Sequence, residues 1–336
     1  MPIARVRDVA ALAGVSPGTV SNALNHPAKV TPETLSRIQS AIDELGFVRN
    51  DAARQLRAGT NRSVGLVVLD VANPFFTDVA HGVEDELGPA DRPLILGNSA
   101  QSAARELTYL TLFEEQRISG LLITPAGNVV ERLRRLRDRG TAVVLVDRLS
   151  RTRDFASVSV DDRLGGRLAA EHLLDVGRRR IAFIGGPLGI TQVKTRLKAA
   201  QDAVARFGSG ELVVMASATM DATAGRLAAE EFLALPRRRR PDAVFAANDL
   251  VALGVLQALT MAGVRVPDDV AIIGYDDIDF AASAAIPLSS VRQPAHEMGA
   301  AAARILLEVI ADPDQANPRH TTFKPELVAR ASTRSS

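Results

Sequence analysis

The sequence predicts an N-terminal all-α helix-turn-helix headpiece followed by an α/β core of two parallel-sheet subdomains. Three observations carry this. Residues 8–25 read DVAALAGVSPGTVSNALN, two helix-length apolar patterns broken at Gly14. From Ser63 onward, short apolar runs alternate with amphipathic helical stretches, the arrangement that builds parallel sheets covered by helices. That second part, about 270 residues long, exceeds one comfortable core, so two subdomains are expected.

In the headpiece, Val9, Ala10 and Ala13 give the first helix its apolar face. Gly14 interrupts it. Ser16 offers a side-chain oxygen to cap a second helix, and Pro17 stands where the first helical residue needs no N–H. Val20, Ala23 and Leu24 continue the apolar face, leaving Thr19, Ser21 and Asn22 outside. A second helix of this kind can enter a DNA major groove, although a plain helical hairpin shows the same periodicity. A third helix is capped at Thr31, opened by Pro32, striped by Leu35, Ile38, Ile42 and Leu45, and stopped at Gly46. Residues 50–59 then carry a cap at Asn50 and a stop at Gly59. They span about two turns, too few for a stable isolated helix, so the segment is expected to order only against a partner. Arg54 and Arg57 suit phosphates, and Leu56 can wedge between base steps.

In the core, strands are expected at 64–69, 93–96, 120–123, 142–146, 180–184, 212–215, 243–246 and 270–274, with helices between them. The break between subdomains is expected near Asp161. Ligands in such sheets bind beyond the carboxyl ends of the strands. Those ends carry Asp70, Thr124, Asp147, Gly185-Gly186, Asn248-Asp249 and Asp276-Asp277. Carboxylates and amides suit hydroxyls, Arg196 can fork onto two ligand oxygens, and Phe75 can offer a ring face. Each has a plainer reading: Phe75 as core, Asp70 and Asp249 as helix caps, Arg196 as half of an ion pair.

Composition narrows the function classes. Hydrophobic residues make up 46%, enough for large cores, which argues against disorder. Residues 1–62 carry eight basic and five acidic side chains, a net +3 that leaves −2 on the rest, fitting a nucleic-acid end and a small-molecule end. With no cysteine, neither a disulfide framework nor a thiolate zinc site is possible. The N-terminus lacks the long apolar core of a signal peptide and no apolar run spans a membrane, so a cytoplasmic protein is expected. The arginine runs at 178–180 and 237–240 read as solvated surface. An enzyme would have to use paired acids such as Asp161-Asp162 or Asp276-Asp277. There is no metal-ligand spacing among the five histidines and no nucleophile elbow, so no catalysis, metal or cofactor is expected. A secreted sugar-binding protein would have a similar core but no headpiece.

The chain resembles the lactose-repressor (LacI/GalR) family over essentially its whole length. The resemblance rests on Asp8-Val9-Ala10, Ala13-Gly14-Val15-Ser16, Thr19-Val20-Ser21, Asn50 with Ala53-Arg54 and Leu56, Asn73-Pro74-Phe75-Phe76, Asp147-Arg148, Asn248-Asp249, Gly274-Tyr275-Asp276-Asp277, Arg292-Gln293-Pro294 and Pro325-Glu326-Leu327-Val328. Two departures stand out: Arg49 where the family has Pro before the second segment, and Arg5 where it has Ser or Thr capping the first helix. The resemblance implies a periplasmic-binding-protein-like (type I) core and three segments: a DNA-binding domain at 1–48, a hinge at 49–60 and an effector-binding and dimerisation core at 61–336. Within that core, one subdomain would comprise about 61–160 plus 291–320, the other about 161–290 plus 321–336. It implies a homodimeric repressor of carbohydrate-metabolism genes on a pseudo-palindromic double-stranded DNA operator. DNA contacts would come from Ser16, Pro17, Thr19, Ser21, Asn22, Asn25 and Lys29 of the headpiece and Asn50, Ala53, Arg54, Leu56 and Arg57 of the hinge. A small sugar-like effector would meet Asp70, Phe75, Thr124, Asp147, Arg196, Asn248, Asp276 and Gln293; a purine or nucleoside is the alternative. The chain ends soon after its last expected strand without an apolar heptad helix, so a dimer rather than a tetramer is expected.

Overall fold

The computed structural model describes residues 4–47, 61–150, 154–313 and 318–334, in two units divided between Thr60 and Asn61. In the first unit, α1 (Val6–Ala13), α2 (Pro17–Asn25) and α3 (Pro32–Leu45) pack around Val9, Ala13, Val20, Ile38 and Phe47. Arg5 has no acceptor to cap α1, but Asp8 in the first turn compensates, its carboxylate accepting from the Arg5 N–H at 2.7 Å. Gly14 adopts a left-handed φ of 63° that ends α1 and turns the chain into α2. Of the stripe expected on α3, Ile38 is buried, Leu35 and Ile42 are half-buried, and Leu45 is exposed; Phe47, past the Gly46 turn, fills the core instead.

The second unit holds two parallel sheets. The first contains β1 (Val64–Val68), β2 (Leu94–Asn98), β3 (Gly120–Ile123), β4 (Ala142–Val146), β5 (Ala156–Val160) and β11 (His320–Phe323), in the order β11-β5-β4-β3-β1-β2. The second contains β6 (Arg180–Gly185), β7 (Glu211–Ala216), β8 (Ala243–Ala246) and β9 (Ala271–Ile273), in the order β7-β6-β8-β9. Most central strands are buried along their whole length, as sheets covered on both faces require. The helices that matter for the cleft are α4 (Pro74–Leu87), α7 (Asp162–Asp175), α8 (Thr191–Phe207) and α10 (Asp249–Met261). Between and after them come α5 (Ala103–Glu115), α6 (Val130–Asp138), α9 (Ala222–Ala234) and the short α11 (Asp279–Ser283).

The chain passes between the two lobes three times. Asp161, whose carboxylate caps α7 at the Leu164 N–H, follows β5 directly. The second passage runs through β10 (Ser290–Arg292) into α12 (Ala295–Ala311), which packs on α4 in the first lobe. The third was expected at about residue 320. It falls after Phe323 instead, because residues 320–323 pair in parallel with β5 at the edge of the first sheet. The chain then pairs β12 (Glu326–Val328) antiparallel with β10 and returns to the second lobe, where the Ile272 N–H donates to the Ser332 carbonyl.

Candidate functional site

In the headpiece, the Ser16 hydroxyl accepts from the Thr19 N–H at 3.1 Å and lies 2.9 Å from the Thr19 hydroxyl, so both side chains are committed to the cap of α2. Pro17 and Asn22 are exposed and Thr19 and Ser21 half-buried, so that among the described side chains of the helix Asn22 is a solvent-facing amide. Lys29 is exposed in the short 3₁₀ turn Pro27–Lys29 that follows, and Asn25 closes α2. Asn50, Ala53, Arg54, Leu56 and Arg57 lie outside the described residues.

In the core, the carboxyl ends of the strands meet in a nearly closed cleft between the lobes, with about 20 Å³ of free space. That is room for about one water molecule. Phe75, Asp147, Arg196, Asn248, Asp276 and Gln293, six of the expected residues, line it. Asp70 and Thr124 do not. The Asp70 carboxylate is spent on its own turn, accepting from the Ala72 N–H at 3.0 Å, and Thr124 is fully buried at the end of β3. Two polar residues not expected there also line it: Asn73, the cap of α4, and Gln192, in the first turn of α8. Both sit where a helix opens toward the cleft, and only tertiary proximity marks them.

Arg196 is the single cation in this cleft lining. It is 4% exposed; its Nε donates to Asp162 at 2.7 Å, its Nη1 donates to the Ala247 carbonyl at 2.8 Å, and its guanidinium stacks 3.5 Å from the Tyr275 ring centroid. The expected fork onto ligand is therefore partly used by the protein itself. Burial opposes its charge, but Asp162 foremost, then Tyr275, Asp276 and Asp147, hold it firmly protonated. Phe75 is both core and lining, packed edge-to-face on Phe76 at 5.0 Å. Asn248 donates to the Met220 carbonyl and caps α10 at the Val251 N–H, the place expected for Asp249, which is the first residue of the helix instead.

Asp276 spans the lobes: it accepts from Asn73 Nδ2 and from Gln293 Nε2, both at 2.8 Å. Burial pushes its carboxyl up to about 6, against the lowering effects of Arg196, Asn73 and Gln293. Asp147 accepts from Gln192 Nε2 at 3.0 Å, and burial together with the Asp162 charge pushes it up to about 8. Both aspartates hold left-handed backbone, φ 52° at Asp147 and 107° at Asp276, strain of a kind that clusters at ligand sites. Three buried oxygens of the lining, Asp147 Oδ1, Gln192 Oε1 and Gln293 Oε1, have no hydrogen-bond partner.

A helix-turn-helix headpiece joined to a two-lobed core with a polar cleft defines the class: a DNA-binding regulator controlled by a small molecule. Residues 5–50 match the bacterial regulatory proteins of the lacI family, and residues 170–333 match the periplasmic binding protein-like domain. The chain is 31% identical to the HTH-type transcriptional repressor PurR of Photobacterium profundum, covering 99% of each. It is 34% identical to the ribose operon repressor of Bacillus subtilis, covering 92% of each. A LacI family transcriptional regulator from Enterococcus faecium, solved with bound ribose, superimposes with a TM-score of 0.73 at 26% identity, over 80% of this chain and 98% of that one. The chain belongs to the LacI family of transcriptional regulators.

Proposed function

We propose that the chain is a repressor that binds a pseudo-palindromic operator as a homodimer in the cytoplasm and releases or grips it in response to a small, hydroxyl-rich effector. It carries no catalytic role. The observation that carries the effector reading is the set of unpartnered acceptors in the cleft, Asp147 Oδ1, Gln192 Oε1 and Gln293 Oε1. A buried acceptor without a donor costs about 1–3 kcal/mol. A sugar brings several hydroxyl donors on one ring, and Phe75 offers that ring an apolar surface. The sugar-bound relative from Enterococcus faecium supports the same class.

The test has two arms. Selection from a pool of random duplexes should yield an inverted repeat whose half-sites lie about one helical turn apart. A single asymmetric half-site would count against the dimer. Thermal shift with D-ribose, D-glucose, cellobiose and hypoxanthine should give a stabilising hit among the sugars, lost in Asp276→Ala and Arg196→Ala while operator binding persists. A response to hypoxanthine alone would move the reading to a nucleobase effector.

A further inference from the structure

The lobes are tied across the cleft. Asn73, on the first lobe, donates to Asp276 on the second at 2.8 Å. Gln192, on the second, donates to the Asp147 side chain on the first at 3.0 Å and also to the Asp147 carbonyl. At the rim, the Met220 N–H donates to Gln101 Oε1 at 3.2 Å. The ties enclose an unbalanced set of charges. Asp147 and Asp276 are 5% and 7% exposed, and Asp162, on α7, faces them; Arg196, on α8, is the cation set among them. From α10, Asp249 is buried beside them; burial first, and then the Asp276 charge, push its carboxyl well above the ordinary value, so it adds a neutral acid to the set. The remaining acid of this loop, Asp277, is paired with Arg292 and Arg330 and is neutralised there. Tyr275 stacks on Arg196 as a neutral ring.

Three carboxylates and one guanidinium cannot all stay ionised in a closed, desolvated cleft. One oxygen is placed to carry the missing proton: Asp147 Oδ1 is buried and has no donor, while the other Asp147 oxygen accepts from Gln192. Both oxygens of Asp276 accept from amides, so that group is the better held as an anion.

We propose that the closed cleft is a proton-loaded latch, in which a carboxyl proton held at Asp147 lets the Asn73–Asp276 and Gln192–Asp147 ties close the lobes, and loss of that proton opens them. The direction follows from linkage. Both groups titrate higher in the closed cleft, about 8 and about 6, than the ordinary 3.8 they regain when opening solvates them. Closure is therefore fully supported below the ordinary value and loses support as pH rises through about 6 and about 8. If the cleft takes a hydroxyl-rich effector, that ligand supplies donors to the bare carboxylates and restores closure at neutral pH, releasing a proton as it binds. Only this last consequence rests on the effector reading.

The absence of cysteine allows a measurement that needs no ligand. Arg105→Cys on the first lobe and Thr223→Cys on the second are exposed positions near the rim. They are spin-labelled in the full chain, diluted with unlabelled protein, and their separation is read by pulsed electron resonance from about pH 5 to about pH 9. The mean separation should lengthen across that range, with its midpoint between about 6 and about 8. Asp147→Asn, which mimics the protonated acid, should keep the short distance throughout, and Gln192→Ala should show the long distance even in acid. A parent distance that does not change with pH overturns the latch whether or not the variants fold. So does an Asp147→Asn protein that opens like the parent. A thermal-shift response to a sugar with no pH-dependent opening would leave the effector reading standing and remove the latch alone.

Discussion

Arg196 shows how one side chain can be tied into the structure and still belong to a recognition surface. Its Nε and Nη1 are committed to Asp162 and the Ala247 carbonyl, its face lies on Tyr275, and it reaches to 4.0 Å from Asp276. The cradle is tight. A Cβ at Gly166 would come within 2.4 Å of the Arg196 carbonyl oxygen, and one at Gly165 within 2.1 Å of the Tyr275 hydroxyl. Replacing Arg196 with Met keeps the volume but strands the carboxylates around it. Removing one partner of a buried ion pair typically costs about 3–5 kcal/mol, part of which protonation of the acids would recover. Urea unfolding of Arg196→Met should therefore show a large loss near neutral pH and a smaller one in acid; an equal loss at both would mean that the cluster does not share charge as argued. In the headpiece, Asn22 has an exposed amide on α2 to offer a base edge, while Ser16 and Thr19 bond each other. A bidentate amide–adenine contact discriminates by about 1–3 kcal/mol. Asn22→Ala should narrow the gap between operator and random duplex by that amount in a competition titration, with nonspecific binding unchanged.

The helices carry the packing that holds each lobe in one shape. α4 and α12 cross with their backbones almost touching: a Cβ at Gly82 would lie 2.0 Å from the His296 carbonyl oxygen, and one at Gly299 at 2.0 Å from the Val79 carbonyl oxygen. Backbone cannot swing aside as a side chain can, so Gly82→Ala must push the helices apart, an overpacking cost of about 1–3 kcal/mol or more. Its urea midpoint should fall; an unchanged midpoint would contradict the close crossing. The same scale explains what was legible in the sequence. Capped helices with a clear apolar stripe were readable, since Ser16, Thr31 and the αL glycines Gly14 and Gly46 give local instructions. β5 was not. Its sequence, Ala-Ser-Val-Ser-Val, alternates like a half-exposed strand, yet all five residues are buried because β4 and β11 flank it in a sheet covered on both sides. β11 was missed for a related reason: His320 and Thr322 are exposed on an edge strand recruited from far along the chain. The strand ends gave the cleft acids, but Asn73 meets Asp276 across more than two hundred positions, and nothing local announces such a pair.

At the scale of the core, the cleft and the connections between lobes are one mechanical unit. Asp277, next to the cleft residue Asp276, holds Arg292 on β10 at 2.8 Å and Arg330, just beyond β12, at 2.6 Å. These two segments are the second and third passages between the lobes, and Gln293 on the second passage bonds Asp276 itself. A ligand that changes the hydrogen bonding of Asp276 therefore acts directly on segments that connect the lobes. That gives differential contact free energy between open and closed states, which any coupling to a distant site requires. If the effector alters operator affinity by a given factor, operator must alter effector affinity by the same factor, typically about 5–150-fold. Isothermal titration of the stabilising sugar into free protein and into the operator complex should give two affinities in that ratio, matched by the ratio of operator affinities with and without sugar. Replacing Asp277 with Asn should weaken its grip on Arg292 and Arg330 and reduce both ratios together, while each ligand still binds alone. Ratios left unchanged in that variant would show that the signal does not run through the Asp277 clamp.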